Sequence, residues 1–155
     1  MNEGIVKLKG QYHIVVKDEH GNIKHDVVVD NLTTTAYHTV IADNMTNASP
    51  PDTMLADYIA VGTGTTAPAI GDTQLETETA RKLQTSRTHE DNVAAISTVF
   101  AAGDVPTSTL KEVGIVAGGT ATANTGKLIS RAAIDLAVTA LDSVFIDYRI
   151  TVADA

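Results

Sequence analysis

Ser143-Val-Phe-Ile-Asp-Tyr-Arg-Ile-Thr-Val152 alternates more regularly than any other stretch of the chain. Val144, Ile146, Tyr148, Ile150 and Val152 fall on one side of an extended backbone, and Asp147, Arg149 and Thr151 on the other. Period-two alternation marks a strand with one face toward a core. Strength of this kind at a chain end, where residues ordinarily fray, predicts a strand sewn into a sheet.

Working back from it, further strand patterns appear. Gln11–Asp18 and Ile23–Asp30 flank Glu19-His-Gly-Asn22, a turn sequence in which Gly and Asn tolerate positive φ, so a hairpin is expected. The three consecutive valines of the second run predict cover on both faces for part of its length. Tyr58–Val61, Val93–Phe100, Leu110–Ala117 and Leu128–Leu136 read as strands, and the polar run Ala80–Asp91 as an exposed one. On Leu128–Leu136 the face of Leu128, Ala132, Ile134 and Leu136 is apolar except at Ser130. A single helical pattern runs from Thr33 to about Met45, with Tyr37, Val40, Ile41, Asn44 and Met45 at helical spacing and Thr33 or Thr34 as N-cap. Prolines 50 and 51 break it. Gly62 to Gly71 is a loop, followed by an expected helical turn around Leu75. Seven to nine short strands with one short helix and no βα alternation define a mainly β chain. The expected architecture is an antiparallel β-sandwich or barrel, jelly-roll-like, in a single domain over 1–155.

Composition bounds the function. Hydrophobic residues make up 43% and aromatics 4%, with no Trp and only Phe100 and Phe145 as phenylalanines. The core is therefore aliphatic and small, and a partner subunit is expected to add stability. Nineteen acidic against eleven basic residues give a net charge of −8, which argues against direct nucleic-acid binding. Cysteine is absent, which removes disulfides and thiolate chemistry. The first residues lack the apolar segment of a secretory signal, and no run approaches a membrane span. The Asn-x-Ser/Thr triplets at Asn31, Asn44 and Asn47 are therefore read as incidental.

No catalytic pattern emerges, and the chain is expected to be no enzyme, with no cofactor and no metal. Gly62-Thr-Gly64 lacks the third glycine of a dinucleotide loop and the Gly-Lys-Ser/Thr of a P-loop. The histidines 13, 20, 25, 38 and 89 form no ligand spacing, and the serines lack a Gly-x-Ser-x-Gly setting. Arg81 and Arg131 stand out. Arg131 interrupts an apolar strand, and Arg81 closes Thr77-Glu-Thr-Ala-Arg. Each either snorkels at a sheet edge or pairs with Glu76, Glu78 or Glu112, and Glu112 is the expected partner of one of them.

The stretches Val61-Gly-Thr-Gly-Thr-Thr-Ala-Pro68, Gly71-Asp-Thr-Gln-Leu75, Glu78 and Arg81, Leu110-Lys-Glu-Val-Gly-Ile115 and Leu128-Ile-Ser-Arg-Ala132 together resemble a pattern of small structural proteins of tailed-bacteriophage particles. The likeness covers about the C-terminal two thirds. It implies a β-rich virion building block. With no heptads or repetitive shaft, the implied role is a capsid decoration, or cement, protein on the outer capsid surface. Its implied partners are the major capsid protein and itself, as a homotrimer, without nucleic acid or membrane. A tail, baseplate or fibre-attachment subunit is the alternative. A host-glycan-binding module, which needs an exposed Tyr12 or Tyr58, is a third, and a small hydrolase a fourth. The expected contact surfaces are an extended N-terminal arm, Met1–Gly10, with Ile5, Val6 and Leu8 as its apolar members, and the loop residues Gly62, Thr63, Gly64, Thr65, Thr66 and Pro68.

Overall fold

The computed structural model describes residues 6–154. Strands β1 (Val6–Lys17), β2 (Ile23–Asp30) and β3 (Leu32–Thr33) precede helix α1 (Thr35–Thr46). Strands β4 (Ala56–Gly62), β5 (Glu78–Leu83), β6 (Ser86–Glu90) and β7 (Val93–Phe100) follow. Strands β8 (Ser108–Ala117), β9 (Lys127–Val138) and β10 (Ser143–Asp154) complete the fold. Two five-stranded antiparallel sheets result: a first sheet in the order β2-β1-β10-β7-β6, and a second in the order β3-β9-β8-β4-β5. They pack as a sandwich around one core that is aliphatic apart from Tyr12, Phe100 and Tyr148.

The alternation of β10 holds through Val144, Ile146, Tyr148 and Ile150, all buried against the second sheet. Val152 departs from it and is 48% exposed. Strand β7 ends opposite Thr151, and beyond it the turn residue Asn92 takes the place of a strand neighbour, accepting from Val152 N at 2.9 Å and donating Nδ2 to Val152 O at 2.7 Å. Tyr12 and Tyr148 sit at the centre of the core with ring centroids 4.7 Å apart. Their hydroxyls are satisfied: Tyr12 shares a 2.7 Å hydrogen bond with Ser130 Oγ, and Asn31 Nδ2 donates to Tyr148 at 2.8 Å. Gly10 is required beside them, because a Cβ there would lie 2.6 Å from the Tyr148 hydroxyl.

The β1–β2 turn forms as expected. The Asp18 carboxylate accepts from the backbone N–H of Asn22 and His20, each at 2.9 Å, and Gly21 takes φ +80°. Four expectations require correction. Strand β2 is an edge strand with one face on the core, so Val27 and Val29 pack inward while Val28 is 61% exposed, and cover on both faces is absent. Ala80–Asp91 is not one strand: the chain crosses between sheets at Gln84–Thr85, β5 pairing with β4 and β6 with β7. Leu75 lies in irregular chain, not a helical turn, and its side chain is buried. Met45 is 80% exposed, since α1 buries its Tyr37, Val40 and Ile41 side, where it meets β9. Thr34 is the N-cap: its hydroxyl accepts from Tyr37 N and donates to Leu128 O.

The N-terminal arm is also revised. Val6–Gly10 is part of β1 and pairs residue for residue with Ile150–Asp154 of the same chain. Ile5 lies outside the described residues.

Candidate functional site

In the second sheet both faces of β8 and β9 are buried over Glu112–Ala117 and Leu128–Ala132. The inner face meets the core. The outer face carries Glu112, Gly114 and Val116 of β8 beside Arg131 and Leu128 of β9 and Gly62, Ala60 and Tyr58 of β4. It is covered by two loops of the chain itself, 63–77 and 118–126. Leu75 plugs the first loop onto the sheet above Gly114, where a Cβ would lie 2.8 Å from Leu75 Cδ2. A cluster of ionic side chains binds both loops down.

Glu112 is the centre of the first clamp and is 1% exposed. Its Oε1 accepts from Gly64 N at 3.1 Å and Thr77 N at 2.7 Å. Its Oε2 accepts from Glu76 N at 2.9 Å and from Arg131 Nε at 2.9 Å. One carboxylate thus holds both limbs of the 63–77 loop. Arg131, also buried, donates to Asp72 Oδ2 at 2.9 Å and to Thr66 O at 2.8 Å. Glu76 closes the circuit by accepting from Thr66 N at 2.7 Å and Thr66 Oγ1 at 2.9 Å. Those two Thr66 donors hold the Glu76 carboxyl below its ordinary range. Burial opposes the Arg131 charge, but Asp72 and Glu112 outweigh it and hold the guanidinium above its usual value.

The glycines of the Gly62-Thr-Gly64 motif are explained here. A Cβ on Gly62 would lie 2.3 Å from Thr77 O, and one on Gly64 would lie 2.5 Å from Glu76 Cβ and 2.6 Å from Glu112 Oε1. The backbone must approach the carboxylate more closely than any side chain allows. These glycines serve the clamp and no phosphate.

Arg81 forms the second clamp. It makes a two-pronged ion pair with Glu78, Nε to Oε1 at 2.5 Å and Nη2 to Oε2 at 2.9 Å. Its Nη1 donates to Thr120 O at 3.0 Å and Thr125 O at 3.1 Å, while Glu78 accepts from Asn124 N at 3.1 Å. The 118–126 loop is held by this pair. The guanidinium also lies 5.7 Å above the Tyr58 ring.

Of the loop residues expected to meet a partner, Thr65 and Thr66 are exposed and Thr63 and Pro68 half-buried. Gly62 and Gly64 are buried and face the clamp, so they offer no contact surface. Val6 is exposed and Leu8 half-buried against the core. Tyr12 is fully buried, which removes it as a glycan-stacking ring. Tyr58 is half-buried beneath Arg81.

Asp72 and the loop amides went unanticipated as partners. The spacing Gly62-x-Gly64 was their one available signal, since paired glycines mark close backbone approach. Among the described residues no three His, Asp or Glu side chains gather as metal ligands. An apolar crevice of about 270 Å³ opens between β6 and the Tyr37–Leu55 side, and its Arg87 is bound to Ala56 O and Asp57. Fold and site together define an antiparallel β-sandwich with one sheet roofed by ionically clamped loops. Comparison with family models, curated proteins and solved structures finds no match.

Proposed function

We propose that the protein is a non-enzymatic structural subunit of a tailed-phage particle. It sits on the outer capsid surface as a decoration protein and bridges neighbouring major capsid subunits. Self-association belongs to this reading, trimers being the form that local three-fold points require.

One observation carries the proposal. The pieces of sequence that resemble phage structural proteins are scattered over Val61–Ala132, yet their polar members meet in space. Gly62, Gly64, Asp72 and Glu112 join Arg131 in one clamp, and Glu78 joins Arg81 in the other. The shared pattern is therefore a device for rigidifying loops on a sheet, which suits a building block that must hold its shape in a shell. A rigid loop crest presenting Thr65, Thr66 and Ile70 suits binding by area, with many weak contacts acting together. No set of side chains at the crest suggests a reaction.

Imaging intact particles at a resolution that places the chain tests this. The expected result is density for this fold repeated at symmetric points over the head. Density confined to neck, baseplate or fibre would move the protein to the tail, and absence from the particle would end the virion reading.

A further inference from the structure

The two sheets differ in one respect. Loops roof the outer face of the second, whereas no element of the described chain covers the outer face of the first. Along the register of the first sheet, Val15 of β1 stands beside Phe145 of β10, and Phe145 beside Val99 of β7. Phe145 is 37% and Val99 43% exposed. Val28 of β2 lies diagonal to Val15 and is exposed too. A three-residue apolar row with a phenylalanine at its centre thus crosses β1, β10 and β7 near the Lys17–Ser143 end of a bare sheet. The solvent face of an antiparallel sheet ordinarily reads as polar.

We infer that this face packs against the same face of a second copy of the chain. The inference stands apart from the virion proposal and needs nothing from it. Three features select a second copy. The first is charge. On this face Lys7, Lys9, Lys17 and Arg149 are positive, and Asp26, Asp30, Asp147 and Glu90 are negative. The face is balanced in a chain whose net charge is −8, so two copies repel least when they meet here. An acidic or basic partner would find no complement on it.

The second feature is size. Five strands about 4.8 Å apart, about nine residues long on average at about 3.3 Å each, make a face of about 700 Å². A stable interface takes about 800 Å² from each partner. The third is relief. Ser97 and Ser143 border the apolar row with short side chains that leave room for a second sheet, while His13, Lys17, Asp26 and Asp147 complete its border. Because the same patch serves both copies, the contact is two-fold, and the assembly holds an even number of chains: two, or six if trimers also form.

Light scattering on purified protein over a range of concentrations tests this, with the wild type, Phe145→Lys and Val99→Lys compared. Each substituted side chain is partly in solvent in the single chain, so folding is retained, and urea midpoints check that it is. The expected result is a mass of two or six times 16.2 kDa for the wild type. Either lysine variant should halve that mass or weaken the association at least tenfold. Leu55→Lys, exposed elsewhere on the molecule, should leave it unchanged. A wild type that stays single up to about 1 mM, where association would be worth only about 4 kcal/mol, overturns the inference. So does an odd-numbered assembly, or one indifferent to both lysines. Each of these results leaves the place of the protein on a particle undecided, so the two proposals fail separately.

Discussion

Glu112 accepts four hydrogen bonds, three from backbone amides of one loop and one from Arg131. A buried carboxylate so fully engaged is costly to remove, because its partners stay behind unpaired. Glu112→Ala is expected to lose about 3–5 kcal/mol in urea unfolding, the range for breaking a buried ion pair. Gly64→Ala places a Cβ against Glu76 Cβ and is expected to lose about 1–3 kcal/mol, as overpacking does. Gly71→Ala, with nothing near the added methyl, should stay within about 0.5 kcal/mol of the wild type. Equal effects at Gly64 and Gly71 would mean that the close approach is not what the glycine serves. The Arg131–Glu112 contact was foreshadowed in the sequence. An arginine inside an apolar strand needs a carboxylate or an edge, and Glu112 interrupts another apolar strand in the same way. Asp72 was not legible, because an Asp in a Gly/Thr loop looks the same whether it meets water or a guanidinium.

At the scale of elements, the loops are held by side chains and not by regular structure. The 118–126 loop depends on Arg81 and Glu78. Arg81→Gln is expected to speed amide exchange at Asn124 by tenfold or more, since hydrogen bonds to charged groups are worth about 1.5–3 kcal/mol. Val113 and Ala132, in the β8–β9 ladder, should keep their protection. Uniform acceleration across the sheet would show that Arg81 supports the global fold and not the loop. The strands were legible where one face meets the core and the other meets water, as in β10. They were misread where that contrast fails. The run Ala80–Asp91 is polar but for Ala80 and Leu83 and shows no alternation, so nothing in it marks the crossing from one sheet to the other at Gln84–Thr85. Loops that roof a sheet carry the same Gly, Thr and Pro as loops that do not, so the covering of the second sheet had no signature beyond the double burial of β8 and β9.

The whole molecule is expected to be stable over a plateau bounded at both ends by titration. Burial resists ionisation of Asp142, but Lys24 Nζ at 2.5 Å and the Thr139 N–H outweigh it and hold the carboxyl below its usual range. Lys82 and the Ala101 N–H do the same for Asp104, and Thr66 for Glu76. Groups with lowered folded values contribute stability that is fully present above about pH 4, their unfolded range, and lost as pH falls through the folded values. At the other end, burial pushes Tyr148 up to about 12 and holds Tyr12 well above its ordinary value. The stability these phenols contribute is fully present below about pH 10 and drains away as pH rises toward 12, because the unfolded chain ionises first. Urea midpoints measured across pH should fall below about 4 and above about 10. The alkaline slope should shrink in Tyr148→Phe. An unchanged slope in that variant would show that Tyr148 ionises as readily in the fold as outside it.

Strands β1 and β10 lie antiparallel from Val6 opposite Asp154 to Lys17 opposite Ser143, so the first and last described residues leave the sandwich side by side. A tether pulling on those two ends would open the β1–β10 ladder one rung at a time, like a zip, at low force. The same ladder loaded across the sheet must give way many rungs at once. The domain therefore withstands load best when it is gripped by its faces and loops, and least when it is hung from its ends.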